Sequence, residues 1–419
     1  MDSKVKEIDV LIIGAGPSGA IASALLHKQG NLKILVVEKE HFPRFVIGES
    51  LLPVCMEILE EAGFLKAVKQ YGFQFKNGAA FSFKDKYRYF NFCDKSAAGY
   101  GTTFQVQRAD FDELLINEAI KQGILVLFGT SVQQIIFPEN TEGKGIHDDY
   151  VQVQLSNKQT IKTKFILDAS GYGRVIARLL NLETPSNLST RKAYFTHIQD
   201  NITEPLYDRN KILITTHPEN HEIWSWLIPF SNGRCSIGVV GSPQLLDKDN
   251  HTFTAEKILK KYIYHAPLLK RLLSRATWDM PVQNISAYSK NIKRFYGERF
   301  IILGNAGEFL DPVFSSGVAI AMYSARLASA LTIKIFNNEI INLEKEYTKP
   351  LMLGINTFRA YIQSWYDGSL QRIIYTQNEN YEVKRQMGSI LAGYVWDINN
   401  PYITKSQSSL QILEQYCKK

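Results

Sequence analysis

Apolar and polar positions alternate in distinct rhythms along the chain. In "IDVLIIGAGPSGAIASALLHKQGNLKILVVEKE" a short apolar run (Asp9–Ile13) meets a glycine turn, then an Ala-rich stretch, then a second apolar run. That order predicts strand, turn, helix and strand, a βαβ unit. A helical rhythm returns at "RADFDELLINEAIKQG", strands follow from Ile124 to Leu167, and alternating strands run from about Arg191 to Val240. From "FIILGNAGEFLDPVFSSGVAIAMYSARLASAL" the pattern is again strand, turn and long helix, with helical character to about Ile390. In "FQFKNGAAFSF", period two places Phe73, Phe75, Phe81 and Phe83 on one face and Gln74, Lys76, Gly78 and Ser82 on the other. By pattern alone, Lys76 is a residue on the wet face of a sheet, or a charged group facing a cavity.

The simplest architecture is an α/β fold with a discontinuous nucleotide-binding domain (residues 1–72, 100–180 and 290–335). A sheet-rich substrate domain (73–99 and 181–289) is inserted in it, and a helical C-terminal cap (336–419) follows.

Composition narrows the function. With 45% apolar residues, 23 Phe and 21 Tyr, the chain has material to enclose a large, flat, apolar ligand. The net charge of +7 is spread rather than clustered, which argues against nucleic acid and suits anionic cofactors or an acidic partner. Cys55, Cys93, Cys235 and Cys417 are isolated, so the expectation is a reduced, cytoplasmic chain without a metal site. The uncharged stretch between Asp311 and Arg326 is too short to span a bilayer, and no integral membrane segment is expected.

The glycine turn carries the clearest chemistry. Gly14, Gly16 and Gly19, with Pro17 and Ser18 between them, fit G-x-G-x-x-G: a tight turn, an approach for pyrophosphate, and close helix–strand packing. The helix that starts there aims free N–H groups at phosphates, and Glu38, next to Lys39 at the end of the second strand, is placed to hold ribose hydroxyls. NAD and FAD both satisfy this pattern. A longer FAD needs a second contact region, and Gly304, Asn305 and the proline turn opening a helix at Gly317 are candidates.

With these motifs goes a further set in one order: "FPRFVIGESLLP", "VQRADFDELL", "DASG", "WSWLIP", "GNAGEFLDPVFSSG" and "LAGYVWDINNP". Over nearly its whole length the chain resembles the FAD-dependent monooxygenase superfamily of the para-hydroxybenzoate hydroxylase fold. Within it, the chain is most similar to flavin-dependent halogenases of the phenol and pyrrole type. The resemblance implies a Rossmann-like FAD-binding domain with an inserted β-sheet substrate domain and a helical C-terminal region. It implies FAD held by Gly14, Gly16, Pro17, Ser18, Gly19, Glu38, Lys39, Arg44, Arg108, Asp168, Gly304, Asn305 and Gly317. Asn305 replaces the Asp of many hydroxylases and keeps a hydrogen-bonding side chain.

Two motifs bear on the reaction. Trp224 and Trp226 in "WSWLIP" fit the W-x-W-x-I-P that walls the flavin from direct hydroxylation, and Pro312, Ser315, Ser316 and Gly317 fit the turn that holds halide. The setting of Lys76 resembles the segment carrying the lysine that passes halogen from hypohalous acid to substrate. Phe314 stands where tryptophan halogenases have a glutamate, which favours a phenol- or pyrrole-type pocket and leaves the general base unassigned. The implied enzyme uses reduced FAD from a separate reductase, O2 and halide on a small electron-rich aromatic, free or on an acyl or peptidyl carrier protein. Two alternatives stay open: an aromatic hydroxylase or geranylgeranyl-reductase-like dehydrogenase, and a flavin-binding partner protein without turnover.

Overall fold

The computed structural model describes residues 6–139, 145–205, 207–248, 252–377 and 380–417; the outermost residues of the expected domains lie outside these. The predicted βαβ unit is present as the strand Lys6–Ile13, the helix Pro17–Gly30 and the strand Ile34–Val37. Its strands sit inside an eight-stranded sheet whose central four, Phe300–Ile302, Thr160–Asp168, Lys6–Ile13 and Ile34–Val37, run parallel, with Leu125–Leu127 parallel at the edge. The first glycine turn and the turn after Ile302 therefore open at the same end of the sheet, where open α/β sheets bind ligands.

A seven-stranded sheet is the second body, in the order Gln283–Ser286, Lys192–Gln199, Arg234–Gly241, Trp224–Pro229, Lys211–Thr216, Gly78–Phe83, Lys86–Asn91. One face joins the main core through Ala79, Phe81, Phe195, Trp224, Trp226 and Ile228. The other face packs Leu213, Leu227, Ile237 and Val239 against the helices Ala255–His265 and Pro267–Leu272. Those two helices lie within the domain expected to be sheet-rich, beyond its expected strands. The apolar stripe Ile258, Leu259, Tyr262 and Ile263 is what the sheet's outer face buries.

The long helix Ser316–Phe336 lies against Pro17–Gly30. The apolar stretch expected to stop at Arg326 continues to Phe336, so this helix does have the length and hydropathy to cross a bilayer. Val318, Ala319, Ile320, Met322, Ala325 and Ala328 are buried, which accounts for its apolarity as core material. Helices Lys349–Tyr366, Ser369–Ile374, Tyr381–Leu391, Pro401–Thr404 and Ser406–Cys417 complete the C-terminal region. All four cysteines are free thiols.

The "FQFKNGAAFSF" segment departs from its expected single strand. Gln74–Lys76 pairs with Thr103–Gln105 in a separate two-stranded ribbon, while Gly78–Phe83 enters the seven-stranded sheet. Asn77 lies between them, its N–H donating to Asn210 O at 2.9 Å. The alternation restarts at this break, so Phe75 is 44% exposed and Lys76 is 1% exposed, the reverse of a continuous strand.

Candidate active site

A cavity of about 510 Å³ lies between the parallel sheet and the inner face of the seven-stranded sheet. Backbone geometry creates its first wall. Gly14 has φ +100° and a Cβ there would meet Ala169 O at 2.6 Å, while a Cβ on Gly19 would sit 1.9 Å from Gly14 O. Only glycines allow the turn and the close helix–strand contact. Glu38 fixes the same turn, accepting from Ala15 N at 2.8 Å and Glu40 N at 3.0 Å. Ser18 Oγ donates to Ala321 O at 3.0 Å, tying the first helix to the long one.

Gly14, Gly16, Pro17, Ser18, Glu38, Lys39, Arg44, Arg108, Asn305, Pro312, Ser315, Ser316, Gly317, Trp224 and Trp226 all line this cavity. Gly19, Asp168, Gly304 and Lys76 stand behind its wall. Asp168 is fully buried, and its carboxylate accepts from Ser170 N at 3.0 Å and Ile176 N at 2.7 Å, holding the turn after its strand. Gly304 has φ +47°, and a Cβ there would meet Ala321 Cα at 2.8 Å, so it permits close packing on the long helix.

The two arginines share one buried anchor. Arg108 Nε and Nη2 donate to the Asp112 carboxylate at 2.7 and 2.9 Å, and Arg44 Nη1 donates to Asp112 Oδ2 at 3.2 Å. Arg108 Nη1 also donates to Ile47 O at 3.1 Å, pinning the segment between the strand Ile34–Val37 and the helix Val54–Glu61. Asp112 was not singled out in the sequence, although its i, i+4 spacing from Arg108 on a helix is a readable signal.

At the far end, the strand period turns Trp224, Trp226 and Ile228 toward the cavity. Gly238 lies opposite Trp226, and its missing Cβ leaves room for the indole, whose ring is 2.3 Å from that position. Trp224 Nε1 donates to Tyr366 OH at 2.9 Å, and Tyr366 OH donates to Asp311 Oδ2 at 2.8 Å. Tyr288 OH donates to the same oxygen at 3.1 Å, while Asp311 Oδ1 accepts from Val313 N at 3.1 Å. Burial pushes the Asp311 carboxyl up, and these donors counter that push. The tryptophan wall and the proline turn are thus joined through a tyrosine from the C-terminal helices. Phe314 is buried in that turn against Tyr361 and Trp365.

Lys76 Nζ donates to Ser50 Oγ and to Leu51 O, both at 2.7 Å. Ser50 lines the cavity, so the amine lies one hydroxyl behind its surface. Burial lowers its pKa from 10.5 to about 7, with the Cys55 thiol a smaller opposing influence. Cys55 is itself pushed up to about 12 by burial. Among the described residues, the buried hydroxyl of Thr103, the cross-strand partner of Lys76, has no hydrogen-bond partner, and neither has Gln105 Oε1.

The residues present fit a long dinucleotide. The glycine turn offers a pyrophosphate approach at one end, and at the other Asn305 Oδ1, on the cavity wall, is a buried acceptor without a partner among the described residues. A ligand hydroxyl supplies the donor it lacks.

The FAD binding domain family matches residues 7–333. A tryptophan 2-halogenase of Chondromyces crocatus is 29% identical over 333 residues, 79% of this chain and 62% of that protein. This chain thus spans less than two thirds of that relative's length. The 1H-pyrrole-2-carbonyl-peptidyl-carrier protein chlorinase of Pseudomonas fluorescens is 27% identical over 403 residues, covering 90% of this chain and 87% of that one. Among solved structures, a flavoprotein/dehydrogenase from Cytophaga hutchinsonii superposes with a TM-score of 0.92 at 40% identity, over 99% of each chain.

Proposed function

The chain belongs to the FAD binding domain family, and on that premise we propose that it is a halogenase using reduced FAD, O2 and halide on an electron-rich phenol or pyrrole. The observation that carries this reading is the buried amine of Lys76, held against the cavity wall by Ser50 at 2.7 Å. In this reading the glycine turn and Glu38 hold the adenosine half of FAD, Arg44 and Arg108 flank it, and Asn305 takes a ribityl hydroxyl. Bound reduced FAD supplies hypohalous acid from O2 and halide.

The chain's own residues then direct that electrophile. Burial lowers the Lys76 pKa to about 7, so the neutral amine is accessible at neutral pH, where an exposed lysine would be almost wholly ammonium. The amine attacks the halogen, an N–X bond forms as the O–X bond breaks, and hydroxide leaves with the amine's proton as water. Trp224 and Trp226 crowd the cavity between the proline turn and the seven-stranded sheet, keeping water from the electrophile. Ser50 and Leu51 O orient the amine.

The chlorinase relative acts on a pyrrole attached to a carrier protein. The basic excess of this chain suits such an acidic carrier. A separate flavin reductase supplies the reduced cofactor. The test is to combine the chain with FAD, a flavin reductase, NADH and bromide, and offer phenols and pyrroles both free and as carrier thioesters. A halogenated product in the mass spectrum is the expected result, and none from any substrate overturns the reading.

The dehydrogenase name of the 40%-identical structure favours a second reading, direct oxidation of NAD(P)H or a substrate by the bound flavin. Rapid NADPH oxidation by the chain alone distinguishes it.

A further inference from the structure

Glu49 and His197 come from distant parts of the chain, and Glu49 Oε1 lies 2.6 Å from His197 Nε2. Both are buried, and Glu49 faces the cavity beside Ser50. The ring of His197 is enclosed by Phe45 and Phe230, with centroids 5.3 and 5.1 Å away. The other buried carboxylates of this wall are committed: Glu38 to backbone amides, Asp311 to two phenols and an amide. Glu49 is backed instead by an imidazole, with His197 Nε2 at 2.6 Å from its Oε1. One tripeptide, Gly48-Glu49-Ser50, therefore sets a carboxylate–imidazole pair beside the hydroxyl that holds Lys76.

We propose that Glu49 and His197 form a proton-accepting pair for the hydroxyl of a phenol, so that the substrate binds as phenolate. The inference rests on the halogenation reading of the same cavity and narrows its substrate class. The phenol O–H bond breaks, its proton passes to the pair, and the electron pair stays on oxygen. The activated ring carbon forms the C–X bond as the N–X bond at Lys76 breaks, and that nitrogen takes the pair's proton to become an amine again. The ring's C–H proton then moves to the oxygen as aromaticity returns. Glu49 supplies a base on the cavity wall.

Among the described residues, Arg108 and the Cys235 thiol interact electrostatically with Glu49, and Lys76 lies beyond the neighbouring Ser50. Arg108 approaches from its helix, paired with Asp112; Lys76 stands behind Ser50; and the buried Cys235 thiol, raised well above its usual range, stays neutral. Arg108 and Lys76 also favour phenolate, but they do so without Glu49.

The experiment uses the FAD-loaded full chain with 4-nitrophenol, whose visible band reports its ionisation. The expected result is phenolate at a pH about one unit below that of the free dye. Glu49→Gln, still binding FAD, loses this shift, Glu49→Asp keeps part of it, and His197→Gln weakens it. An unshifted bound dye, or a dye that does not bind, overturns the proposal. So does a shift in Glu49→Gln as large as in the parent, which would assign the effect to Arg108 and Lys76. If Glu49→Gln fails to take up FAD, His197→Gln decides by the same comparison. A shift without halogenated product from any substrate overturns halogenation and leaves the pair as a phenol site. Halogenated product without the shift overturns the pair alone.

Discussion

Lys76 and Ser50 are joined amine to hydroxyl at 2.7 Å, with Ser50 on the cavity wall and Lys76 behind it. Among the described residues, no carboxylate accepts from this amine; Ser50 Oγ and Leu51 O do. Neutral acceptors solvate the ammonium poorly, and burial accordingly favours the free amine.

A direct consequence is a pH-dependent rate. Product formation rises as pH passes through about 7, where Lys76 loses its proton, and levels off above it. Lys76→Arg, charged at all working pH values, removes the product without restoring it at high pH. The pH profile of coupled turnover measures this.

The same proton affects stability. The folded pKa of Lys76 lies below the unfolded value of 10.5, so between pH 7 and 10.5 the unfolded chain binds more protons and stability rises with pH. Below pH 7 the burial penalty is fully present. Lys76→Met raises the unfolding free energy at pH 6 by on the order of 2 kcal/mol and removes this contribution to the pH dependence. Urea unfolding at pH 6 and pH 10 checks it.

Asn305 is the expected flavin anchor. Asn305→Leu removes the acceptor that has no partner among the described residues, at little cost to the fold, and weakens FAD binding by about 1–3 kcal/mol, roughly fivefold to 150-fold in Kd. Flavin fluorescence titration measures the loss.

Tyr366→Phe cuts the link between Trp224 and Asp311. Leaving a buried indole N–H without its partner and removing a donor from Asp311 lowers stability by about 1–3 kcal/mol. The tryptophan emission of the folded chain shifts as Trp224 changes its polar contact.

What the sequence made legible follows from where the constraint is local. The first glycine turn could be read because backbone conformation at Gly14 and packing at Gly19 admit no side chain. "WSWLIP" could be read because period two holds along an unbroken strand. The environment of Lys76 could not, because the parity of its strand resets at Asn77, where the chain passes from one sheet to another. Glu49 with His197, and Trp224 with Tyr366 and Asp311, join residues with no shared periodicity. The helices Ala255–His265 and Pro267–Leu272, beyond the expected strands, were not assigned, although their apolar spacing is helical.

The central claim is that Lys76 carries the halogen to the substrate. Its most direct measurement is the partition of oxidised halide between halogenated aromatic and free hypohalous acid, caught by a diketone trap, in the parent and in Lys76→Ala under reductase-coupled turnover. The account predicts aromatic product from the parent, and from Lys76→Ala free hypohalous acid with aromatic product down at least about tenfold, a cost of roughly 1.4 kcal/mol or more in the transition state. Unchanged aromatic product from Lys76→Ala would contradict it.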